Sequence, residues 1–201
     1  MHELPSGLPP GVVPSPGALL DEHGRPDFRD VFGGLAAASD EVATAVTRVR
    51  LTTVDLGARE LSGLRTFRVL VAELSALRLD GEARVMRAEP RRIANVSLLL
   101  DMMESGRLDV RSAPLGGWSP DFTVFSSSGK PRAVLSGFHW FERPYPHRGP
   151  ALASVHGGDG AHAALRRFDE LWAVAHDVGP AVWSILARAV DRAAAGREQV
   201  G

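Results

Sequence analysis

Residues 108–156, LDVRSAPLGGWSPDFTVFSSSGKPRAVLSGFHWFERPYPHRGPALASVH, decide the reading of the fold. Leu108–Ala113, Asp121–Ser126, Arg132–Phe138 and Pro150–His156 are short, largely apolar runs separated by Gly, Pro and Ser. Runs of that length bounded by turn residues predict four closely spaced strands. Downstream the period changes. Ala161, Leu165, Phe168, Trp172 and Ala175 recur at helical spacing, which predicts a helix over Gly160–Asp177. Pro180 opens a last helix through about Ala195, with Val182, Ile185, Leu186 and Ala189 facing inward.

Upstream, helices and strands alternate. From Asp30, Val31, Leu35, Ala38, Val42 and Val46 draw one helical stripe, and Thr47–Leu56 reads as a strand closed by Gly57. A second helix is expected with Leu61, Leu64, Phe67, Val71, Leu74 and Leu77 on one face. Asp80-Gly81 marks a turn before a short strand at Glu82–Ala88. Pro90 then starts a helix with Ile93, Val96, Leu100 and Met103 buried, and Gly106 is its expected C-cap. The order β-α-β-α-β, followed by three close strands and a covering helix, predicts an α/β layered domain over residues 30–201. Residues 1–29 carry six prolines in their first 26 positions and read as a Pro/Gly-rich arm. The order of strands within the sheet is not given by periodicity.

Composition narrows the chemistry. The chain has 201 residues, is 44% hydrophobic and 23% charged, and is composed like a soluble globular domain. It has no cysteine, so disulfides, thiolate nucleophiles and cysteine-ligated metals are excluded. A net charge of −1 argues against a strongly basic nucleic-acid protein. Of its 23 basic residues, 22 are arginine and one is Lys130, which removes nearly all catalytic-lysine chemistry. No signal peptide or membrane-length apolar run is visible, and the expected location is the cytoplasm.

The stretch from Val31 to about Asp177 resembles one phospholipase-D-type domain. DVFGGLAAASDEVATAVTRVRLTTVDL resembles the family's opening helix and first strand. RVMRAEP, SGRLDVRSAP, FTVF, AVLSGFHWF and RRFDELW stand where its later strands and its "F-x-x-x-W" helix belong. The resemblance implies a mixed sheet between helices. It also implies a catalytic His-x-Lys followed four residues later by Asp, in which the histidine attacks phosphorus and the lysine binds phosphate oxygens. In this chain Ser119 stands where that histidine belongs, Asp121 where the lysine belongs, and Ser126 where the aspartate belongs. Gly137-Phe138-His139-Trp140 replaces the family's Gly-Ser-x-Asn. A carboxylate in place of a phosphate-binding lysine repels the phosphate group. The chain equally resembles the non-catalytic phospholipase-D-like ligand-sensing domains of transcription regulators. Phospholipase-D enzymes also place two such domains face to face, so the resemblance implies a homodimer with Trp118, Phe138, Trp140 and Phe141 as expected aromatic anchors.

The richest remaining polar constellation is Gly137–Gly149, followed by Ser154 and His156. Polar and aromatic groups on a connection after a strand are a common way to build a ligand site, and here Asp121, His139, Arg143, His147, Arg148 and His156 are expected to converge. The alternative is a rigid proline-rich connection stapled to the core by its aromatics. His139, His147 and His156 are spaced by eight and nine residues, which matches no local metal motif, so neither metal nor cofactor is expected. Arg84, Arg87, Arg91 and Arg92 cluster in sequence, but interleaved acids make them a solvated face rather than a nucleic-acid patch. Gly157-Gly158-Asp159-Gly160 lacks the spacing of a phosphate-binding loop and reads as a helix-capping turn.

Three functions from different classes remain open. One is a non-catalytic phospholipase-D-like domain binding a small ligand or protein partner in a regulatory role. Another is an enzyme with a site rebuilt around His139, His147 and His156. The third is an assembly or scaffold protein.

Overall fold

The computed structural model describes residues 18–21, 28–46, 61, 63–72, 90–113, 122–136 and 152–198. In chain order these form β1 (Ala18–Asp21), α1 (Phe28–Ala37), β2 (Glu41–Val46), β3 (Thr66–Val71), α2 (Pro90–Glu104), β4 (Leu108–Ser112), β5 (Phe122–Ser127), β6 (Lys130–Ser136), β7 (Leu152–His156), α3 (Gly158–Ala173), β8 (His176–Asp177) and α4 (Gly179–Glu198). Among the described residues the eight strands make one sheet in the order β1-β7-β6-β5-β2-β3-β4-β8. β2, β3 and β4 are parallel, and every other neighbour pair is antiparallel. The α/β class and mixed sheet expected from sequence are therefore present.

Pleating sorts the core into two layers. Val42, Val46, Phe67, Val69, Val71, Val110, Phe125 and Leu135 project to one face, where α1, α2 and α4 bring Phe32, Leu99, Met102 and Leu186. Ala43, Ala45, Leu70, Phe122, Val124 and Val134 project to the other, where α3 brings Ala161, Phe168 and Leu171. The period of two along each strand is what divides them. Phe32 meets Phe125 edge-on, with centroids 5.3 Å apart, and so ties α1 to the sheet.

Two expected helices are corrected. The stripe from Val31 to Val46 breaks at Ala37, where Ser39 Oγ donates to the Leu35 carbonyl at 2.7 Å, and Glu41–Val46 is a strand. Val42 and Val46 are four apart, an even number, so they share a strand face as readily as a helix face. Burial of the whole run Val42–Val46 decides in favour of a central strand covered on both sides. The expected second helix over Leu61–Leu77 fails for the same reason. Phe67 and Val71 lie on one side of strand β3, between β2 and β4. The strands expected at Thr47–Leu56 and Glu82–Ala88, and the residues Leu74 and Leu77, lie outside the described residues.

Other expectations hold in part, and the fully buried apolar stripe of the helix at Pro90 is Val96, Leu99 and Met102, with Ile93, Leu100 and Met103 half-buried beside it. α2 starts at Pro90, and Gly106 (φ +70°) ends it, its N–H donating to the Met103 carbonyl while Arg107 N–H donates to that of Met102. That is the Schellman arrangement, which requires the left-handed residue that glycine supplies most easily. The helix expected over Gly160–Asp177 ends earlier, at Ala173, and His176–Asp177 turn back to pair with β4. Part of the proline-rich arm is also a strand, since Ala18–Asp21 pair with β7. No helix among the described residues is long and apolar enough to cross a membrane.

Candidate functional site

The strand order reverses at β2. From β2 the chain moves to β3 and β4 on one side, then crosses to β5 on the other side of β2. In open α/β sheets ligands bind beyond the carboxyl ends of the strands where such a reversal occurs. Here that end is marked by Val46, Val71, Ser112 and Ser136, the last residues of β2, β3, β4 and β6, while β5 begins there at Phe122. Register aligns Ala45 with Phe122, and Phe122 with Ser136.

One row beneath this end, Thr44 and Thr123 face each other across the β2–β5 pair. Their hydroxyls are 2.6 Å apart, and both residues are buried (0% and 2% exposed). A buried hydroxyl is costly unless hydrogen-bonded, so the two satisfy each other in an otherwise apolar layer. The pair forms a closed polar floor at the switch point. Sequence reading missed it, because threonines 79 positions apart give no local signal.

Asp121, His139, Arg143, His147 and Arg148 lie outside the described residues, as do Ser119, Trp118 and Gly137–Trp140. His156 is described. It closes β7 half-buried opposite Val134, on the face covered by α3, and a methyl group added at Gly160 would lie 3.3 Å from its Cβ. It thus sits beneath the first turn of α3, on the opposite sheet face from Thr44 and Thr123. No group of three potential metal ligands occurs among the described residues.

Ser126 lies at the far end of β5, four residues or about 13 Å along the strand from Phe122. Its backbone carbonyl accepts the Asp40 N–H at 3.1 Å, and both carboxylate oxygens of Asp40 lie 3.1 Å from the Ser128 N–H. The β5–β6 hairpin is therefore braced by a carboxylate from the neighbouring strand's entry turn.

A second polar constellation, also missed, lies under α3. Arg68 on β3 pairs with Asp169 at 2.8 Å and stands over the rings of Phe168 (4.9 Å) and Trp172 (5.6 Å). Arg111 on β4 stands over Trp172 at 4.6 Å and meets Asp109 at 3.3 Å, while its Nε is buried with no hydrogen-bond partner among the described residues. Phe168 and Trp172 are themselves stacked at 5.3 Å. Two arginines against two aspartates leave no net charge, and guanidinium–ring contacts of this kind contribute about 0.5–2 kcal/mol each. The stack holds α3 to the parallel half of the sheet. An arginine interrupting each of TFRVLV and LDVRS was the available signal.

No protein-family model and no curated protein matches the sequence. Among solved structures, the chain is similar to the phospholipase D family member Nuc from Salmonella typhimurium. The TM-score is 0.50 and the identity 11%, over 80% of this chain and 97% of that one. The fold is phospholipase-D-like. Similarity is also found to polyphosphate kinase from Porphyromonas gingivalis, at TM-score 0.49 and 14% identity, covering 77% of this chain and 26% of that one. At such identities the likeness speaks to the phospholipase-D-like fold alone. Ser126 lies at the hairpin end of β5, away from the switch point.

Proposed function

We propose that this chain is a non-catalytic phospholipase-D-like domain that binds a small ligand or a protein partner in a regulatory role. The observation that carries the reading is the position of Lys130. Phospholipase-D chemistry needs an ammonium group on the phosphate oxygens beside the attacking histidine. The chain's one lysine is exposed at the hairpin that starts β6, six residues or about 20 Å along that strand from Ser136 at the switch-point end. A side chain of about 6 Å cannot bridge that distance. Ser119 and Asp121 at the motif positions support the same conclusion, since a hydroxyl without a neighbouring base is a weak nucleophile and a carboxylate repels phosphate. The ligand site of this reading includes Asp121, His139, Arg143, His147 and Arg148, with His156 reaching it only from the α3 face, and the acting unit is a homodimer.

The test is turnover. Incubation with bis-p-nitrophenyl phosphate, phosphatidylcholine and single-stranded DNA gives background rates, and native mass spectrometry of protein purified from its host shows a retained small molecule or partner. Hydrolysis abolished by His139→Ala overturns the reading in favour of an enzyme.

A further inference from the structure

A separate feature lies on the flank of the sheet, two strands away from β2. β8 pairs with β4 only at Arg111 and Ser112, and Val178 N–H adds one bond to the Val110 carbonyl at 3.1 Å. Below that point the outer edge of β4 borders an open cleft of about 470 Å³ whose walls include Met103, Glu104, Leu108, Asp109, Asp177 and Trp183. The Arg107 carbonyl accepts the Phe67 N–H at 2.7 Å, so odd-numbered residues of this strand turn their backbone groups toward β3. By alternation, the N–H and C=O of Leu108 turn outward toward the cleft.

We propose that this edge docks an extended peptide segment carrying arginine or lysine side chains, added to the sheet as a further strand. An exposed strand edge offers main-chain hydrogen bonds in the register of the sheet. Charge selects the occupant. The lining contains Glu104 and Asp177, together with Asp109, whose charge Arg111 balances, and no lysine, arginine or histidine lines it. Each carboxylate uses one oxygen among the described residues. Glu104 Oε1 accepts from Trp183 Nε1 at 3.2 Å, Asp177 Oδ1 from Gly179 N–H at 2.8 Å, and Asp109 Oδ2 from Arg111 at 3.3 Å. The C-terminal end of α2, at Glu104, adds the negative end of its dipole. Trp183 is 39% exposed, one of two large apolar side chains left so open among the described residues. Fixed by Glu104, its indole provides a face for a cation. The same edge of a second copy would bring Glu104 and Asp177 toward their own copies, which disfavours symmetric edge-to-edge pairing as the use of this cleft.

The experiment uses the full chain with acetyl-Val-Arg-Val-Arg-Val-amide, its Val-Glu-Val-Glu-Val counterpart, and a basic version N-methylated along one edge. Calorimetry measures affinity, and amide hydrogen exchange reads Leu108. The basic peptide is expected to bind at least tenfold more tightly than either of the others and to slow exchange at Leu108. Trp183→Ala weakens it by about tenfold. Glu104→Gln keeps the side chain's shape and also weakens it, so the result does not rest on one variant. Equal binding of the acidic or N-methylated peptide, unchanged exchange at Leu108, or no binding overturns the proposal. These readouts lie on β4, α2 and α4, away from the switch point, so their failure leaves that reading untouched.

Discussion

Replacing Thr123 with valine removes one hydroxyl from the buried pair at the switch point while nearly preserving shape. The Thr44 hydroxyl, 0% exposed and 2.6 Å from its partner, is left without that bond in an apolar layer. Stranding a buried hydroxyl costs about 1–3 kcal/mol, whereas replacing both partners by apolar groups of the same shape is nearly neutral. Thr123→Val therefore destabilises the domain by about 1–3 kcal/mol. Thr44→Val costs less, because Thr123 makes a further interaction. The double variant Thr44→Val/Thr123→Val recovers the part of the loss that comes from the stranded Thr44 hydroxyl, giving a coupling energy of about 1 kcal/mol. Urea denaturation followed by circular dichroism measures the four species, and a loss of 1 kcal/mol appears as about 2–4 °C in Tm for a chain of this size. Strictly additive single effects, with the double variant as unstable as their sum, would refute the reasoning. The pair would then not be a mutually satisfying unit.

Gly106→Ala should destabilise by about 1–2 kcal/mol, because φ is +70° there while nothing lies within 4 Å of an added methyl, so the cost is purely conformational. Thermal unfolding checks it, and an unchanged Tm would mean the α2 cap rearranges freely. The proposed homodimer is checked by size exclusion with light scattering at micromolar concentration. A doubled mass lost on Trp140→Ala supports it, and a mass near 21.5 kDa rules it out.

Legibility from sequence followed local chemistry. α2 announced both its ends, Pro90 at the start and Gly106 at the stop, and the structure places them so. β4 to β7 were legible as short apolar runs between turn residues, and α3 and α4 as long 3.6-residue stripes. β2 and β3 were misread because a spacing of four satisfies helix and strand alike, and both are buried on two faces, which erases the alternation that marks a half-buried strand. Of the expected site residues, His156 was brought to the α3 face, away from the Thr44–Thr123 floor.

By itself the sequence determined the α/β class, the absence of cysteine chemistry and the scarcity of lysine, since these depend only on composition and on periods within one segment. It also carried enough of the element order to resemble a phospholipase-D-type domain. Tertiary structure alone decided that β5 returns beside β2 and so creates the switch point. It alone closed Thr44 on Thr123, and stacked Arg68 and Arg111 on Trp172. It also carried Lys130 to the opposite end of the sheet from the switch point. The physical reason is common to all of these. Strand pairing joins residues tens of positions apart, and the free energy that selects one pairing over another comes from the burial of whole faces, which no single segment contains.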